Sequence, residues 1–138
     1  MIFAVAASVL IVVGLVTWAM LHQHNSGQIA AVVDLRDRSM ARGTEPPPTE
    51  TPLEIPRNSS RLDIYLPLGS SEGPYDFRIE TPAGELIVSG GGVAKVRDGV
   101  TSLTVDVNLS SATPRPRLYL FQIRKLGSQW NSYALRIN

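Results

Sequence analysis

From Arg61 onward the chain repeatedly alternates apolar and polar residues, two residues to a period, which is the pattern of a strand with one face buried and one face wet. Leu62, Ile64, Leu66 and Leu68 alternate with Asp63, Tyr65 and Pro67, and Tyr75, Phe77 and Ile79 alternate with Asp76, Arg78 and Glu80. Leu103, Val105, Val107 and Leu109 alternate with Thr104, Asp106 and Asn108. Tyr119, Phe121 and Ile123 form a further inward series, and Tyr133, Leu135 and Ile137 close the chain. Turn chemistry divides these runs: GSSEGP at 69–74, TPAG at 81–84, Asp98-Gly99 and Gly127-Ser128. Thr81 to Gly84 followed by ELIVS reads as a hairpin returning on Tyr75–Glu80. Gly90-Gly91-Gly92 leads into no helical pattern, as a phosphate loop would, so it reads as a flexible turn or bulge. An all-β fold follows, an Ig-like β-sandwich of about seven strands. Its predicted core is Leu62, Ile64, Leu66, Tyr75, Phe77, Ile79, Leu103, Val105, Val107, Tyr119, Phe121, Ile123, Tyr133 and Leu135.

The first residues follow a different rule. Met1 to Leu21 contain no Asp, Glu, Lys or Arg. At about 1.5 Å per residue such a run matches the roughly 30 Å hydrocarbon core of a bilayer. It is apolar on every side, so no face suits a soluble surface helix. Trp18 falls where an indole sits at headgroup level. The start lacks the basic flank of a secretory signal, the apolar run exceeds the usual length, and Thr17-Trp18-Ala19 is a poor cleavage site. Residues 1–21 are therefore expected to be a retained transmembrane helix and 22–27 a polar hinge, with 28–138 the β-sandwich. Arg36, Arg38 and Arg42 taken literally would hold the C-terminus in the cytoplasm. They are mixed with Asp34 and Asp37 in what reads as folded structure, which leaves an extracytoplasmic domain on a single-pass inner-membrane anchor as the expectation. The absent basic flank also admits Met1 as an internal methionine of a longer chain.

At the start of the expected sandwich, Val33 and Leu35 alternate with Asp34 and Arg36, a strand pattern for which a helical extension of the span is the competing reading. Residues 43–57 hold five prolines. Pro46, Pro47 and Pro48 form a stiff polyproline segment that either meets a proline-recognition module or lies as a spacer over the domain edge.

Composition removes whole classes of chemistry. There is no cysteine, hence no disulfide, no thiolate nucleophile and no thiolate-held metal. The two histidines, His22 and His24, lie in the hinge without a third ligand, which makes a poor metal site. They also lie away from the strands, so no base stands beside a serine for triad chemistry. Asp63, Asp76, Glu80 and Asp106 occupy outward positions where solvation is the ordinary explanation. No enzyme, cofactor or metal is expected. Thirteen basic side chains against twelve acidic ones, interleaved, form no phosphate-tracking stripe, so nucleic acid is not expected as a partner. Asn58-Ser59-Ser60 and Asn108-Leu109-Ser110 match the glycosylation tripeptide, which is short enough to recur by chance. Trp130 falls on the opposite side of the last strand from Tyr133 and Leu135. An indole near the surface is either a contact anchor or a residue that covers a sheet end or packs on the proline loop, while Arg124 and Lys125 on the preceding strand read as solvated. Trp130 and the triad Pro46, Pro47 and Pro48 are the candidate protein contacts.

Taken together, VDLRDRSMARG, TEPPPTETPLEIPR, RLDIYLPLGSSEGPYDFRI, GVTSLTVDVNLSS and QWNSYALRI resemble the periplasmic half of bacterial membrane-bound anti-sigma factors. In particular they resemble the acidobacterial type, with an N-terminal zinc-binding anti-sigma domain, one span and an outer β-sandwich. The chain departs from that family in having no His-x-x-x-Cys-x-x-Cys motif, so sigma-factor binding falls on no residue here. The resemblance implies the architecture of span plus outer sandwich and a sensing or protein-contact role. The expected function is a membrane-anchored, non-catalytic sensing or interaction domain that meets a protein or other component of the envelope. The alternatives are the C-terminal part of an anti-sigma-type regulator and a secreted binding or structural module.

Overall fold

A computed structural model describes residues 29–38, 41–42, 51–110, 112 and 117–138. The expected span 1–21, the hinge 22–27 with His22 and His24, and Pro46, Pro47 and Pro48 lie outside the described residues. Among the described residues no helix is long and apolar enough to cross a membrane.

The fold is all-β, as the alternation predicts. Nine strands form: β1 (Ala30–Asp34), β2 (Ala41–Arg42), β3 (Leu53–Ile55), β4 (Arg61–Tyr65), β5 (Gly73–Glu80), β6 (Leu86–Arg97), β7 (Val100–Asp106), β8 (Arg117–Lys125) and β9 (Asn131–Ile137). Eight follow one hydrogen-bonded path, β1-β4-β7-β6-β5-β8-β9-β2, and β3 joins β9. Because β1 at one end packs against β3 near the other, this mixed sheet nearly closes into a barrel. The connectivity thus differs from seven strands split between two separate sheets. The link is β6, whose first part pairs with β5 (Leu86–Ala94) and whose last residues pair with β7 (Lys95–Arg97).

The glycine run explains how one strand serves both halves. Gly90, Gly91 and Gly92 lie within β6, in place of the expected flexible turn. A Cβ on Gly90 would stand 2.8 Å from Cε1 of Phe77, and one on Gly91 would stand 2.9 Å from the Tyr75 carbonyl oxygen. Both separations are too short for a carbon, so β6 can pass over β5 this closely only without side chains. At its far end Asp98 (φ 53°) and Gly99 (φ 77°) close a two-residue loop between Arg97 and Val100. Both take positive φ, the combination that matches strand twist in a tight hairpin.

Every member of the predicted core is buried. Phe77 and Phe121 stack with ring centroids 6.3 Å apart, and Ala31, Val33, Leu35, Leu53, Ile55, Leu109 and Ile137 complete the interior. Strand β1 runs parallel to β4 with Val33 opposite Ile64, so the strand reading of this stretch holds. Two expectations change. Leu68, the last residue of the first alternating run, is 69% exposed, because the strand ends at Tyr65 and Pro67 turns the chain. Within the expected proline loop 43–57, Leu53 and Ile55 form β3, since alternation around Glu54 buries both against β9.

The turn from Arg57 to Ser60 clasps one end of the molecule. The Arg57 N–H donates to the Asn138 carbonyl (2.7 Å) and the Ser60 N–H to the Ile29 carbonyl (3.0 Å). The opposite end is closed by the 66–72 turn, where Thr101 Oγ1 donates to the Ser70 carbonyl (2.6 Å) and Lys125 Nζ to Ser71 Oγ (2.7 Å).

Candidate functional site

The residues of β5 and β8 that point away from the core stand in a fixed register, with Asp76 opposite Arg124, Arg78 opposite Gln122 and Glu80 opposite Leu120. This pairing turns charges distant in sequence into neighbours. Arg124 donates from Nε and Nη2 to Oδ2 of Asp76, each at 3.2 Å. Arg78 lies 3.1 Å from Oε1 of Glu80 and donates from Nε to Oε1 of Gln122 at 2.5 Å. Gln122, fully buried, passes the connection on by donating from Nε2 to Oγ of Ser132 at 2.9 Å. In a low-dielectric setting such a chain of satisfied polar groups holds its members in one arrangement.

Trp130, just before β9, brings its ring to this face. The guanidinium of Arg78 is 4.4 Å from the indole centroid and that of Arg124 is 4.3 Å away. Each contact is of the cation–π kind, worth about 0.5–1 kcal/mol when exposed and about 2 kcal/mol when desolvated. The indole is thus tied to both β5 and β8 and rests on the charged face, not on a sheet end. Arg124, read as solvated from sequence, is engaged by both Asp76 and Trp130, and Lys125 is held by Ser71.

Around this cluster lies an open pocket of 380 Å³, lined by Asp76, Phe77, Arg78, Glu80, Leu86, Ser89, Gly90, Arg124 and Trp130. Glu80 is its least exposed acid, with 14% of its side chain accessible, and Arg78, Arg124 and Asp76 retain about a third. Gly90 contributes backbone to the lining, and the Cβ it lacks would point inward at Phe77. The sequence singled out Trp130 and missed Arg78. Its signal was present in the alternation, which put Arg78 outward, but the partner that makes it a site resident is 52 positions away, from 130 minus 78.

On the other face of the barrel, Asp34 accepts from Arg36 at 2.9 and 2.6 Å, and the Arg36 guanidinium lies 5.2 Å from the Tyr65 ring centroid. The hydrogen bond from Arg36 holds the Asp34 carboxyl below the usual carboxylate range, against a smaller opposing effect of burial. Among the described residues no group of three or more His, Cys, Asp or Glu stands close enough to hold a metal. Set against protein-family models, curated proteins and solved structures, the chain has no match.

Proposed function

We propose that the protein is a membrane-anchored, non-catalytic binding domain displayed outside the cytoplasm, and that its Trp130 face meets a component of the cell envelope. The observation that carries this reading is the indole held by Arg78 and Arg124, each itself bound to a carboxylate. A large amphipathic ring whose position is fixed before contact loses little freedom on binding, which is what a contact anchor needs. The apolar run 1–21 supports the anchor. The absence of histidine from residues 28–138 supports a non-catalytic role by removing the commonest general base. In this reading the barrel-like domain takes the place of the outer Ig-like sandwich in the acidobacterial-type anti-sigma proteins that the chain resembles. Binding at the Trp130 face would then be the signal that such a protein senses.

Protease treatment of intact spheroplasts, blotted with an antibody against residues 58–138, tests the placement. Loss of the band without lysis is expected, and protection until lysis overturns the reading. The undigested band separates the variants of the proposal. A size near 15 kDa in the membrane fraction fits a self-sufficient anchored module. A larger polypeptide carrying zinc-spaced Cys and His before the span would make the domain the outer half of an anti-sigma-type regulator. A band in the medium with residues 1–21 removed would make it a secreted module.

A further inference from the structure

We infer that the Trp130 pocket is a binding site for neutral saccharide, the ligand being a pyranose ring with equatorial substituents within an oligosaccharide. This deepens the proposed binding role of the same face and rests on it. Three properties of the pocket select the ligand. The first is charge balance: Asp76 and Glu80 are matched by Arg78 and Arg124 and paired with them one to one. A phosphate or an acidic peptide would find no net attraction here, and a cation none either.

The second is the supply of hydrogen-bonding groups. Of the two Asp76 oxygens Arg124 engages Oδ2, and of the two Glu80 oxygens Arg78 engages Oε1. Asp76 Oδ1 and Glu80 Oε2 are left as acceptors not used by either arginine, beside guanidinium N–H groups that remain donors. Ser89 adds a hydroxyl on the neighbouring strand. Interleaved fixed donors and acceptors suit vicinal hydroxyls, each of which both donates and accepts.

The third is the indole, which lines the pocket together with Leu86 and stays partly exposed beside the two guanidinium groups that hold it. Equatorial hydroxyls leave axial C–H groups on the faces of a pyranose, and these weakly positive hydrogens are drawn to the electron-rich surface of an aromatic ring. The pocket is 380 Å³ and open, at the lower end of the roughly 300–1,000 Å³ common for small-molecule sites. One ring can sit in it while the rest of the chain runs out over the sheet. The backbone of Gly90 lines the same pocket.

The test uses the full chain in phosphatidylcholine nanodiscs, since sugar-headed detergents would compete. The chain holds two tryptophans, so W18F leaves Trp130 as the sole indole. Titration with cellohexaose and with chitohexaose is expected to shift its emission saturably for one or both. D76N and E80Q should each weaken binding at least tenfold. S89F, which fills the pocket from an exposed position opposite Arg78 while replacing no member of either ion pair, should abolish it with an unchanged melting temperature. W130A, followed by calorimetry, should lose binding as well. The inference is overturned if neither hexasaccharide gives a saturable shift, if hexagalacturonate binds as tightly as the neutral sugars, or if S89F binds like its parent. Incorporation into nanodiscs reports on the anchor alone. A chain that fails to incorporate is titrated in solution, so the two readings fall separately.

Discussion

Tyr75 is a buried phenol whose hydroxyl donates to the Ser71 carbonyl at 3.0 Å. Burial pushes its pKa above the ordinary value of 10.0, against a smaller opposing effect of the Ser71 and Ser70 side chains. The folded state therefore favours the neutral phenol. The stability this contributes is whole below pH 10 and is lost as pH rises through the raised folded pKa. A Y75F variant should show a flatter decline in melting temperature between about pH 9 and pH 12, by thermal denaturation at stepped pH. Asp34 behaves in the opposite sense. Its lowered pKa means a contribution present above the ordinary value of 3.8 and lost as pH falls through the folded value. D34N should remove that acid-side decline, and the effect should be small because the pair is solvated. In the core, F121A removes one of two stacked rings at a fully buried position and should cost about 3–5 kcal/mol in urea unfolding.

At the scale of elements, β6 is the strand whose sequence misleads most. Alternation is carried by side chains, and three successive glycines carry none, so the run reads as a break where the chain is in fact extended. Only the positions of Phe77 and Tyr75 underneath explain why glycine is required. G90A should cost about 1–3 kcal/mol, because the Phe77 ring must move to admit the new methyl, and denaturant midpoints check this. The predicted inward set was legible because alternation marks the inward face, and it did so even in β8 and β9, where the outward Gln122, Ser132 and Ala134 are buried as well. Leu68 broke the same rule because Pro67 turns the backbone before the pattern ends. The Leu53–Ile55 strand was hidden by flanking prolines, which signal a loop but also permit a short edge strand. The site was half legible. Trp130 stood out by its outward placement. Its partners Arg78 and Arg124 could be recognised only after the β5–β8 register placed the two strands side by side, and no local pattern encodes that pairing.

For the molecule as a whole, near-closure depends on the stretch before Leu35. Ala31, Val33 and Leu35 fill the interior, and β1 covers the edge of β4. A chain lacking residues 1–35 would expose that edge and three core positions together. Loss of a cooperative melt and growth of oligomers by size-exclusion chromatography are expected, because an uncovered edge templates pairing with another chain.

The clasp at residues 57–60 has a mechanical consequence. Ile29 and Asn138 are bound to the same short turn, so tension between the two ends enters the molecule at one pole. A pull applied there acts across the strands and not along them, and the hydrogen bonds of β1 and β9 meet the load one after another, from the clasp inward. A domain loaded in that way peels open like a zip at modest force, whereas the same number of bonds loaded in shear would fail together and later. Tension transmitted from a tether at residue 29 would therefore strip β1 from β4 first and leave the charged face around Trp130, on strands β5 and β8, as the last part to come apart.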